Sequence, residues 1–131
     1  MKNDWNSKLN TGFEVVDNHH KDIFFLDDLL HSYIQTHDKS FLDEIIDFLN
    51  DHMEPHFKEE ESIMKKHQFQ DYDYHSAQHD IFIKKIHDII SIYKNQPDFG
   101  THIIFKLRQL IDQLIIHIQQ VDIKLGSLNK H

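Results

Sequence analysis

The sequence predicts an all-α fold, an up-down-up-down antiparallel four-helix bundle preceded by an N-terminal arm. Three observations predict it. Only three Gly and two Pro occur in 131 residues, too few for a turn-rich β-fold or a glycine-rich phosphate loop. Apolar residues recur at steps of three and four through four long segments, and the breaks between them are short. Consecutive amphipathic helices joined by short connections favour antiparallel neighbours.

The first helix follows Val15-Val16-Asp17, with Ile23, Leu26, Leu29, Leu30, Tyr33 and Ile34 on its apolar stripe, and ends near His37-Asp38. Ser40 is the expected N-cap of the second, whose stripe (Phe41, Leu42, Ile45, Ile46, Phe48, Leu49, Met53, Phe57, Met64) runs to about Lys66. Pro55 lies inside it, lacks the N–H that would bond to Asp51, and should bend the axis just before His56. From His67 to Tyr74 the chain is aromatic and irregular. The third helix carries Phe82, Ile83, Ile86, Ile89, Ile90 and Tyr93, and Asn95-Gln96-Pro97-Asp98 ends it. Ile103, Ile104, Leu107, Leu110, Ile111, Leu114, Ile115 and Ile118 define a fourth, expected to stop around Gly126. One domain is expected, with an arm at 1–15 containing Trp5 and Phe13, a bundle at 16–126 and a tail at 127–131.

Composition narrows the function. Fourteen Lys plus Arg against 22 Asp plus Glu leave a net charge of −8, and the basic residues are scattered, so nucleic acid is not an expected partner. Without cysteine there is no disulfide framework, thiol nucleophile, iron–sulfur ligation or haem-attachment motif. The N-terminus lacks a signal-peptide stretch, and no run approaches the ~20 apolar residues of a membrane span, so a soluble, cytoplasmic protein is expected.

Thirteen histidines are the unusual feature, and their positions matter more than their number. In an antiparallel bundle, residues early in helices one and three meet residues late in helices two and four. His20, His56 with Glu60, His75 with His79, and His117 with Asp122 satisfy that pattern. Ligands four residues apart are separated by about 40° around a helix, so His56/Glu60 and His75/His79 can each aim at one centre. His117 and Asp122, five apart, stand about 140° from each other and need a π-bulge or a frayed end. Spacing leaves two choices open: His52, His56 and Glu60 form one stripe, and Asp112 competes with Asp122. His19, His31, His37, His87, His102 and His131 read as surface residues. His52-Met53-Glu54-Pro55-His56 is a poor zinc-protease motif, since Glu is third instead of second and Pro interrupts the helix. No Glu has a His three residues later, unlike the carboxylate-rich di-iron enzymes.

Asp17-Asn18-His19-His20-Lys21, His56-Phe57-Lys58-Glu59-Glu60-Glu61-Ser62-Ile63-Met64, His75-Ser76-Ala77-Gln78-His79 and Leu114-Ile115-Ile116-His117-Ile118-Gln119-Gln120-Val121-Asp122 resemble successive signatures of the hemerythrin family. The resemblance covers nearly the whole chain, and its short length is similar to that of single-domain bacterial hemerythrins. It implies two non-haem iron ions joined by an oxo or hydroxo bridge, binding dioxygen reversibly as a hydroperoxide for storage, delivery or buffering. By resemblance His75, His79 and His117 hold one iron, His20 and His56 the other, and Glu60 and Asp122 bridge them, leaving an open position on the second iron. Ile23, Phe57, Leu114 and Ile118, near the ligands in sequence, are candidates for the apolar wall of the oxygen pocket. The expectation is a carrier and not an enzyme. An oxygen, nitric oxide or iron sensing module is the alternative, and a di-iron oxidase or peroxidase a more distant one. The chain departs from the family pattern at His19, His67 and Gln113, and a polar Gln113 beside the site would favour autoxidation.

Overall fold

The computed structural model describes residues 5–95 and 101–129. Five α-helices are present among them and no strand: α1 (Glu14–Thr36), α2 (Lys39–Asp51), α3 (Met53–Lys66), α4 (Tyr72–Asn95) and α5 (Thr101–Gln120). A 3-10 helix, Ser7–Leu9, precedes α1, and another, Asp122–Asn129, follows α5. Of the expected break at Asn95-Gln96-Pro97-Asp98, Asn95 is the last residue of α4, and the rest, like the expected surface residue His131, lies outside the described residues.

Four helix boundaries differ from expectation. The second expected helix is interrupted at His52, which closes α2 through its N–H to the Phe48 carbonyl (2.9 Å) and accepts from the His56 N–H (3.1 Å). Pro55 thereby becomes the third residue of α3, where its missing N–H has no intrahelical partner to lose. The last helix ends at Gln120, short of Gly126, and the chain tightens into the 3-10 turn that begins with Asp122. The N-cap of α2 is Asp38, whose carboxylate accepts from the Ser40 N–H at 3.0 Å, so the expected cap Ser40 is the donor. Tyr72 already begins α4, which confines the irregular stretch to the turn after α3. There Gln68 adopts φ 53°, and the N–H groups of Gln68 and Phe69 bond to the carbonyls of Lys65 (3.1 Å) and Met64 (2.8 Å), a Schellman closure.

The arm is fastened through Asp17, a buried carboxylate of α1. It accepts from the N–H and hydroxyl of Thr11, both at 2.8 Å, and from the Gly12 N–H at 3.2 Å. Hydrogen bonds to a charged acceptor contribute about 1.5–3 kcal/mol each, so this contact fixes where α1 begins. At the far end Arg108 of α5 pairs with Asp27 of α1 and Asp112 of its own helix, tying together two helices that pack closely.

Two apolar clusters form the interior. The larger draws on all five helices, including Ile23, Leu30, Leu49, Phe57, Ile86, Leu107 and Ile118; the smaller joins Val16, Met64 and Leu125 beneath Phe13, Phe69 and Tyr72. Buried polar side chains lie between the two. His20 falls between Val16 and Ile23, Glu60 between Phe57 and Met64, His75 and His79 between Tyr72 and Phe82, and Asp122 between Ile118 and Leu125.

Candidate metal centre

All seven expected ligands are buried: His20, His56, Glu60, His75, His79, His117 and Asp122. Burying seven ionisable groups in one region costs far more than packing can offset unless they are paired or coordinate a cation. Six of them converge.

Asp122 is the junction. Its Oδ1 lies 2.6 Å from His75 Nε2 and 2.9 Å from His117 Nε2, while its Oδ2 lies 3.0 Å from His20 Nε2. Glu60 mirrors it, with Oε2 at 2.9 Å from His20 Nε2, and Oε1 at 3.3 Å from His75 Nε2 and 3.4 Å from His79 Nε2. Two groups with metal-ligand spacing result: His75, His79, His117 and Asp122 in one, and His20, Glu60 and Asp122 in the other. Asp122 belongs to both because the change from α-helix to 3-10 turn after Gln120 swings it under His117, satisfying the spacing that a regular helix could not.

These separations suit coordination. Ligand atoms about 2.1 Å from a six-coordinate ion stand about 3.0 Å apart along an octahedral edge. Nε2 of His75, His79 and His117, Oε1 of Glu60 and Oδ1 of Asp122 are buried with no hydrogen-bond partner despite their closeness. These atoms crowd around one shared space, as the ligands of a metal do. Imidazole and carboxylate donors suit iron, and also manganese and zinc.

Electrostatics tie the imidazoles to the carboxylates. Burial alone would depress His20 and His75, but the carboxylates of Asp122 and Glu60 override it and hold them up at about 10 and about 9. Burial would raise both carboxyls, and Asp122 would raise Glu60 further, but the imidazoles hold both well below the usual range: His20, His75 and His79 act on Glu60, and His117, His20 and His75 on Asp122.

His56 stands apart from both groups. Its ring stacks on that of His19 at 3.6 Å and 5°, its Nδ1 is buried without a partner, and burial together with the neighbouring His19 and His52 lowers it to about 4. His19, expected at the surface, is half-buried for this reason. His52 is exposed while His56 and Glu60 are buried, and Asp112 is engaged by Arg108, so the structure separates both pairs of alternatives. His31, His37, His87 and His102 are exposed as expected.

Ile23, Phe57, Leu114 and Ile118 all lie in the large apolar cluster. Phe57 lies face to face on His79, with centroids 4.0 Å apart, and Phe82 packs edge-on to His117 at 5.3 Å. The arm contributes Trp5, 6.3 Å from the His20 ring and edge-on to Phe24.

Sequence reasoning missed Glu61. Its Oε2 lies 2.8 Å from His79 Nδ1 and its Oε1 accepts from the Ser76 hydroxyl at 3.3 Å. One residue on from Glu60, it is turned about 100° around α3 toward α4. The run Glu59-Glu60-Glu61 was the available signal, and it reads as a solvated face.

A family model for the hemerythrin HHE cation binding domain matches residues 11–127. The chain is 31% identical over 119 residues to a bacteriohemerythrin of Pseudomonas paraeruginosa, covering 90% of this chain and 75% of that protein. It is 35% identical over 114 residues to a bacteriohemerythrin of Methylococcus capsulatus, covering 86% and 83%. A bacteriohemerythrin of Stenotrophomonas maltophilia is 28% identical over 119 residues, covering 90% and 75%. No solved structure matches the chain significantly.

Proposed function

The chain belongs to the hemerythrin family, and from that premise we propose that it binds dioxygen reversibly at a di-iron centre. The observation that carries the proposal is the division of the Asp122 carboxylate, one oxygen toward His75 and His117 and the other toward His20. A shared carboxylate beside unequal imidazole sets is what a pair of ions with different coordination requires. His75, His79 and His117 would hold one iron, His20 and His56 the other, and Glu60 and Asp122 both. Bound iron would supply the electrons that a dioxygen ligand draws on, with an oxo or hydroxo bridge between the ions.

The protein's contribution is containment. Ile23, Phe57, Leu114 and Ile118 would form the apolar wall that keeps water from the site, and the buried ligands would keep stray protons out. An up-down-up-down bundle agrees with the order of the apolar clusters. Along α1 and α4 the small cluster precedes the large, and along α2–α3 and α5 the large precedes the small. No helix among the described residues is long and apolar enough to cross a membrane. Storage, delivery or buffering of oxygen, without turnover, without nucleic acid and in the cytoplasm, is the reading that follows.

Anaerobic iron loading, then oxygen addition and removal, tests it. A visible charge-transfer band that appears with oxygen and disappears on its removal is expected. An irreversible spectral change would favour the sensing alternative, in which oxygen, nitric oxide or iron occupancy is read by a separate protein.

A further inference from the structure

We propose that Glu61 is a positioning residue for the metal centre, holding His79 in one tautomer and orientation through the nitrogen that faces away from the metal. The inference rests on His79 being a ligand, as proposed above. Two contacts fix the carboxylate: Ser76 Oγ donates to Oε1 at 3.3 Å, and His79 Nδ1 lies 2.8 Å from Oε2. An ionised carboxylate only accepts, so Nδ1 carries the proton and Nε2 keeps its lone pair. That Nε2 is buried without a hydrogen-bond partner and belongs to the three-histidine group. The ring face is fixed as well, by Phe57 stacked at 4.0 Å and 13°.

A carboxylate on the outer nitrogen makes an imidazole more electron-donating, which favours the higher oxidation state of a bound metal. Glu61 is not sealed in the interior. Its side chain is 22% exposed and lines a surface cleft with Lys58, Ser62, Lys65 and Tyr72. A small carboxylate can therefore reach its place when the side chain is cut back.

The test compares the full chain with Glu61→Ala and Glu61→Gln by anaerobic cobalt(II) titration, followed by d–d absorption, and by the reduction potential of the iron-loaded proteins. Glu61→Ala is expected to lose about 10–100-fold in cobalt affinity. Glu61→Gln retains an acceptor, so it should recover most of the affinity while its potential stays above that of the parent. Formate should restore affinity to Glu61→Ala and leave the parent unchanged. Parental affinity and potential in Glu61→Ala would overturn the inference and leave the metal centre standing. A parent chain that binds neither cobalt nor iron would overturn both.

Discussion

Asp122→Ala is expected to lose both metal ions together, whereas His117→Ala is expected to weaken one. Asp122 is the residue common to the two ligand groups, so its removal takes an oxygen from each. Loss of a residue that merely orients a ligand costs about 10–100-fold in metal affinity, and loss of a shared ligand should exceed that. The substitution also leaves His20, His75 and His117 without the carboxylate that lies 2.6–3.0 Å away. Elemental analysis after anaerobic iron loading gives the answer, with circular dichroism to check that the helices persist. One full equivalent of iron retained in Asp122→Ala would show that the carboxylate serves a single ion. Asp122→Asn keeps one oxygen and should fall between.

Removing the metal is the second large effect. Ions that bind only the folded chain stabilise it by about 4 kcal/mol when present at a thousandfold excess over their dissociation constant. For a chain of this size that corresponds to a fall in Tm of about 10–20 °C on chelation. The fall should depend on pH. In the metal-free protein, His20 and His75 are held protonated up to about 10 and about 9, against 6.5 for each ordinarily. Their contribution is complete below pH 6.5 and is lost as pH rises through those values, so the metal-free chain weakens from neutral to alkaline pH. The depressed carboxyls of Glu60 and Asp122 are the same pairs seen from the other partner, not an additional gain. In the loaded protein the imidazoles carry metal instead of protons, and the alkaline weakening should vanish. Thermal melts across pH 6–10, with and without iron, check both statements, and identical curves would count against a metal at these residues.

Much of this site was legible in the sequence because helical period and ligand chemistry agree there. His20, Glu60, His75, His79, His117 and Asp122 meet at one level, as antiparallel neighbours should bring them. What escaped has identifiable causes. Proline acts upstream of itself, through the Asp51 carbonyl it cannot satisfy, so the helix breaks at His52 and not beside His56. The end of α5 depends on a change to 3-10 geometry, for which apolar period carries no signal. His19 and Glu61 have polar side chains on partly exposed helix faces, and only the neighbouring element reveals that His56 stacks on one and His79 bonds to the other.

The two halves of the centre are unequally prepared. On one side His79 is stacked against Phe57 and held by Glu61, and Phe82 packs edge-on to the His117 ring, so these nitrogens are already oriented. On the other, His20 faces both carboxylates while His56 rests against His19 and would have to leave that stack to serve as a ligand. An incoming ion loses little freedom of the protein in the first case and must rearrange a side chain in the second. Loading of a two-ion centre is therefore expected to be ordered, the three-histidine position filling first and the second ion binding with lower affinity.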